Sequence, residues 1–272
     1  MKKLILLIAL VSFVRVAGQD IGVQLYSFRH QFEKDIPGTL DKIKAMGITK
    51  LEGGGSYGLT QPEFKNMLEA RKMKVISVGA DYNQLKTDLQ SIIGNAKAYG
   101  AKYVVCFWIP HNGAFTLDNA REAVEVFNNA GKILKDNGLN FCYHPHGYEF
   151  GAWENGDLFD YLLTKSNPAY VNFEMDVFWI KQPGKDPVAL LEKYSGRFPL
   201  MHLKDRKPGT PNSQDGHADV ESNVVLGQGD VGIAAIMKVA KKHGVKHFFI
   251  EDESSRSLEQ VPVSLSFLKN LK

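Results

Sequence analysis

Four stretches of this 272-residue chain begin apolar and turn polar near a residue able to hold a divalent cation. They are Tyr143–Phe150 (YHPHGYEF), Phe173–Trp179 (FEMDVFW), Leu200–Asp205 (LMHLKD) and Phe248–Glu253 (FFIEDE). The candidate ligands are Glu149, Asp176, His202 and Glu251, one from each. Three carboxylates and one imidazole suit a hard-to-borderline cation such as Mn²⁺, Mg²⁺, Co²⁺ or Zn²⁺.

Other reactive side chains cluster around these four. His144 and His146 alternate about Pro145, so both point to one side of an extended strand and compete with Glu149 for the position facing a metal. Lys204, two residues beyond His202, shares its inward direction; it either stabilises an oxyanion or pairs with Glu149 or Asp176. Glu174 has the parity of Asp176 and can support it, whereas Asp205 falls on the opposite face. Glu52 ends a strand just before Gly53-Gly54-Gly55 and is a candidate substrate contact; the glycines read as a permissive turn, because no phosphate-binding fingerprint accompanies them. Trp108 and Trp179 end strands and can stack on a sugar face or pack in the core. His111 and His217 lie in loops and are expected to face solvent.

These residues need a scaffold that gathers strand ends. Short apolar runs are predicted as strands at Gly22–Phe28, Lys50–Gly53, Lys74–Ala80, Lys102–Ile109, Asn140–His146, Tyr170–Asp176, Phe198–Leu203 and Lys246–Glu251. Helical patterns alternate with them: Gly38–Met46, Gln61–Lys72, Gln84–Tyr99, Leu117–Asn137, Asp157–Thr164, Pro187–Tyr194, Gly232–His243 and Leu258–Leu271. Gly47, Gly100, Gly138 and Gly244 each stand where a helix should stop before the next strand. Strict alternation predicts a parallel sheet closed into a (β/α)₈ TIM barrel, a single α/β domain over residues 19–272. Such a barrel collects the C-terminal ends of its strands on one face, with neighbours about 4.8 Å apart, so consecutive strand ends can surround one cation. The irregular stretch Arg206–Asp230 would lie on that face as a lid, a substrate wall or a plain surface excursion.

The first eighteen residues read differently. Lys2 and Lys3 precede an apolar run from Leu4 to Val14, too short to span a bilayer comfortably, and Val16-Ala17-Gly18 suits cleavage. Residues 1–18 are therefore expected to be a signal peptide, placing the protein in the periplasm or outside the cell without a stable membrane anchor. Lysine plus arginine total 33 against 30 acidic residues, but Lys2, Lys3 and Arg15 leave with the signal, so the remainder is balanced. A balanced charge offers no footprint for nucleic acid. Cys106 and Cys142 sit inside apolar runs and are expected to be buried free thiols, although export would permit a disulfide. Nothing in the sequence sets an oligomeric state.

The chain resembles the xylose isomerase-like TIM barrel superfamily, in its sugar phosphate isomerase/epimerase branch. YHPHGYEF, FEMDVFW, MHLKD, LGQGDVG and FIEDE carry the likeness, with GVQLYSF at the first strand. The resemblance implies that Glu149, Asp176, His202 and Glu251 bind one divalent metal, and that a proton is removed beside a carbonyl through a metal-stabilised enediolate. An epimerase would exchange protons through Glu149 and Glu251 on opposite faces of the sugar; a 3-keto-glycoside lyase or hydratase would use one base and one acid from His144, His146, Lys204 and Glu52. An exported protein without an arginine and lysine clamp points to an unphosphorylated sugar or keto sugar. A non-catalytic carbohydrate-binding barrel is the reading from another class.

Overall fold

The computed structural model describes residues 21–271, and the expected signal segment lies outside them. The eight barrel strands are β1 (Ile21–Gln24), β2 (Lys50–Gly53), β3 (Lys74–Ala80), β4 (Tyr103–Cys106), β5 (Asn140–Tyr143), β6 (Val171–Asp176), β7 (Leu200–Leu203) and β8 (His247–Ile250). Each pairs in parallel with its neighbours in sequence, and β1 pairs with β8 to close the barrel. The expected (β/α)₈ architecture is what the chain forms.

Helix boundaries follow local chemistry. Thr60 and Glu63 close a capping box on Gln61–Ala70, and Gly100 ends Leu89–Tyr99 in the left-handed conformation at φ 69°. The single helix expected over Gln84–Tyr99 is instead two, because Asp88 leaves helical geometry and its carboxylate accepts the Ser91 amide as a new N-cap. The long helix Leu117–Asp136 buries Ala120, Val124, Phe127, Ala130, Gly131 and Leu134, a stripe at helical spacing. Gly131 is needed there, since a Cβ would stand 2.6 Å from the Tyr170 carbonyl oxygen.

Inside the barrel, Tyr103, Val105, Cys142, Leu200 and Phe249 pack as an apolar plug. Strand alternation then carries Cys142 to His144 and Leu200 to His202, so the residues above the plug are polar and share its inward face. Both cysteines are buried and free; burial pushes the Cys106 thiol up to about 12. All the strands but β2 and β3 are shorter than expected, and two of the differences bear on the site. Chain leaving β1 tightens into a 3-10 turn at Leu25–Phe28, and β5 ends at Tyr143, before the HPHGYEF segment.

Candidate functional site

At the C-terminal face, His144, Asp176 and His202 bring one ligand atom each to within 4.8 Å of one another, and Glu52, Glu174 and His202 form a second such group. His144 Nε2 lies 3.7 Å from Asp176 Oδ2, His202 Nδ1 lies 3.8 Å from the same oxygen, and Glu251 Oε2 lies 3.2 Å from His202 Nδ1. Ligand atoms held about 2.1 Å from a tetrahedral metal are spaced about 3.4 Å apart, close to these separations. Asp176 Oδ1 accepts the Phe178 and Trp179 amides, which begin the short helix Val177–Lys181. Its Oδ2 is buried without a hydrogen-bond partner. A buried carboxylate oxygen facing two imidazoles is a cost that a cation removes, so the donor set fits a metal.

The other imidazole nitrogens are turned to carboxylates. His144 Nδ1 is 3.1 Å from Glu174 Oε2, and His202 Nε2 bonds Glu52 Oε1. Burial, then the neighbouring His202 and His146, push His144 well below the ordinary histidine range, so it is neutral and keeps a lone pair. Burial acts the same way on His202, but Glu174, Glu52 and Glu251 outweigh it and raise that imidazole well above its usual value.

Glu149 does not join this cluster. Gly147, at φ 91°, turns the chain after His146, and Glu149 falls in the 3-10 turn Tyr148–Phe150. Its carboxylate accepts the His146 amide at 3.1 and 3.2 Å and the Tyr143 hydroxyl, and burial raises it to about 7. His144 occupies the β5 position that Glu149 was expected to fill. The missed signal was Gly147 itself, which interrupts strand alternation before Glu149.

Glu52 is likewise drawn away from substrate. It is fully buried, with Oε1 taken by Gln24 and His202 and Oε2 by Ser77. Lys204 is buried and bonded to Glu251 at 3.4 Å and to Glu253, rather than to Glu149 or Asp176. Those carboxylates offset the burial penalty and raise its ammonium above its ordinary value, so it stays charged. Glu253 was not anticipated, although its parity with Glu251 marks it.

A cavity of about 810 Å³ opens over the cluster, with His144, His146, Lys204, Glu251, Trp108 and Trp179 in its lining. Trp108 meets His146 at 5.4 Å between ring centroids, and Trp179 meets it at 5.3 Å. His146 Nδ1 is buried and unpartnered; burial and then Lys204 push the imidazole down to about 3. His111 and His217 do not simply face solvent: His111 stacks on Trp108 at 5.4 Å, and His217 reaches the cavity. The stretch after β7 forms a wall through Gly216, His217, Ala218 and Val220. Its ends are tied by antiparallel pairing of Asp205–Arg206 with Asn223–Val224. Asp205 anchors its return, accepting the Gly227, Gly229 and Val231 amides at 2.8, 3.0 and 3.2 Å.

Residues 40–271 match the model of the xylose isomerase-like TIM barrel family. The chain belongs to that family. A sugar phosphate isomerase/epimerase from Parabacteroides distasonis superposes with a TM-score of 0.76 at 26% identity, covering 94% of this chain and all of that one. The inosose dehydratase of Clostridium beijerinckii is 24% identical over 153 residues, 55% of this chain and 45% of that protein. The chain therefore spans about half the length of that curated relative. The IolI protein, solved with a bound zinc atom, shares the fold at TM-score 0.71 and 13% identity, covering 92% of this chain and 95% of that one. These relatives include a dehydratase and an isomerase/epimerase.

Proposed function

We propose that this barrel is an exported, divalent-metal-dependent enzyme that removes a proton beside the carbonyl of an unphosphorylated keto sugar and completes an elimination. The single observation that carries the reading is the convergence of His144 Nε2 and His202 Nδ1 on the unpartnered Asp176 Oδ2, with the Glu251 carboxylate against His202 Nδ1. Two imidazoles and two carboxylates favour Zn²⁺, Mn²⁺ or Co²⁺ over Mg²⁺, which prefers oxygen donors and retained waters. The zinc atom of the IolI structure is in keeping with that choice. When bound, the cation supplies Lewis-acid polarisation of the substrate carbonyl.

The chain's own groups favour elimination over epimerisation. An epimerase needs a second base facing Glu251, and the expected partner, Glu149, is turned into the Tyr143 and His146 hydrogen bonds. His146 lines the cavity and has an unpartnered Nδ1, which makes it the candidate acceptor of the proton from carbon once substrate is bound. The electron pair released forms the carbon–carbon double bond as the oxygen substituent one carbon further on departs. That oxygen leaves as water or an alcohol with the proton that His146 accepted from carbon, which returns His146 to its neutral form. Lys204, held as an ammonium by Glu251 and Glu253, stabilises the developing negative charge. Inosose dehydratase relatives give a precedent for loss of water. Epimerisation remains the second reading, favoured by the 26%-identical structural relative.

Export is supported by the Lys2-Lys3 start, the apolar run to Val14 and the small residues at 16–18. The functional reading is tested by incubating metal-supplemented protein with free and 3-keto sugars in D₂O and following products by NMR. Elimination gives an unsaturated product with loss of water or alcohol. A deuterated epimer without elimination would instead support the second reading, and no exchange with any metal would sink both.

A further inference from the structure

We propose that the cavity carries a second-ring subsite beside Gly53–Gly55, so that its substrate is an uncharged glycoside rather than a single sugar or a sugar phosphate. The inference rests on the proposed function only in placing the reacting ring at the histidine cluster.

Size is the first observation. A cavity of about 810 Å³ is far larger than one pyranose needs; pockets of roughly 300–1,000 Å³ enclose drug-sized ligands, whereas a hexose has only about twelve non-hydrogen atoms. Charge is the second. Lys204 is the one lysine or arginine among the described lining residues, and its ammonium is already bonded to Glu251 and Glu253. Apart from the proposed metal, a phosphate entering here would meet Glu251, Glu253 and an ammonium that those carboxylates already hold, with no clamp of free cations among the described lining residues.

The shape of the walls then says where the second ring goes. One wall is crowded, with His146 between Trp108 and Trp179. The lining at the ends of β2 and β3 includes four glycines, Gly53, Gly54, Gly55 and Gly79. Some of these glycines serve the fold. Gly54 sits at φ 109° with Val78 2.8 Å from the position of a Cβ, and a Cβ on Gly79 would lie 3.1 Å from Phe107. Gly55 has no such duty: its φ is not in the left-handed region, and a Cβ there would meet nothing within 4 Å. Gly55 is exposed where it lines the cavity, and its missing side chain leaves open space there rather than packing. Aromatic rings edge the lobe. Tyr26 is 52% exposed yet lines the cavity, with the Arg29 guanidinium 4.5 Å from its ring centroid, and Tyr57 is stacked on Phe32 at 4.1 Å. Rings fixed in this way offer flat faces to a sugar or aryl group.

Gly55→Trp fills the lobe without touching the histidine cluster. Titration calorimetry on zinc-loaded protein would compare p-nitrophenyl β-D-glucopyranoside, glucose and glucose 6-phosphate, with the fold and zinc content of each sample checked. The wild type should bind the aryl glucoside about tenfold more tightly than glucose, as one or two ring contacts allow, and glucose 6-phosphate no more tightly than glucose. Gly55→Trp should erase the aryl advantage while leaving glucose affinity within about twofold. Equal affinities for the aryl glucoside and glucose in the wild type, an advantage that survives in Gly55→Trp, or preference for the phosphate would each overturn the subsite. Zinc-loaded protein lacking the ring preference fails the subsite alone, whereas a ring preference in protein that takes up no metal supports the subsite and fails the proposed function.

Discussion

An imidazole can ligate a metal only through a nitrogen that keeps its lone pair, and two buried glutamates decide which nitrogen that is here. Glu174 faces His144 Nδ1 and Glu52 faces His202 Nε2, leaving His144 Nε2 and His202 Nδ1 toward Asp176. Partners of this kind orient the ring and raise its basicity, and their loss typically costs about 10- to 100-fold in metal affinity. We predict that loss for Glu52→Gln and Glu174→Gln, measured by competition with a chromophoric chelator; unchanged affinity in both would refute the positioning role. Glu149 carries a separate consequence. Its folded-state pKa, raised from 4.5 to about 7 by burial, means that the native state binds this proton more tightly than the unfolded chain. Its contribution to stability is complete below about pH 4.5 and is lost as pH rises to about 7, a change of about 3 kcal/mol. Glu149→Gln should remove that decline, so its unfolding free energy relative to wild type should rise across this window. Parallel pH profiles by denaturant unfolding would contradict the assignment.

At the scale of elements, the wall after β7 depends on one carboxylate. Asp205 accepts four backbone amides, those of Arg206, Gly227, Gly229 and Val231. Asp205→Ala should cost about 2–4 kcal/mol, because buried amides lose a charged acceptor. Limited proteolysis should then cut between residues 206 and 230 faster than in wild type; an unchanged cleavage rate would show that the wall is held by other contacts. Strands were legible because apolar runs of four to seven residues between helical patterns leave little choice of period, and β2 and β3 have the bounds their residues suggested. Local polar chemistry was harder to read. Asp88 breaks a helix whose hydrophobic pattern continues through it, and Gly147 turns the chain inside a segment that otherwise resembles a strand end. The same turn explains why Glu149 lies away from Asp176 and His202, which stand where strand parity puts them. Glu52 misled for another reason: its position at the end of β2 is inward, as expected, but Gln24, Ser77 and His202 take its oxygens, and those contacts join residues distant in sequence.

Across the whole molecule, closure of the barrel brings β2 and β6 residues onto the same two imidazoles from β5 and β7. No short segment of the chain could build that cluster alone. The proposed metal set takes His144, rather than Glu149, as its fourth member beside Asp176, His202 and Glu251. The most direct measurement is metal stoichiometry by elemental analysis after zinc loading and desalting, comparing wild type, Glu149→Gln and His144→Ala, with folding confirmed by circular dichroism. About one equivalent is expected in wild type and Glu149→Gln, and well under a tenth in His144→Ala. Full zinc in His144→Ala together with its loss in Glu149→Gln would contradict it.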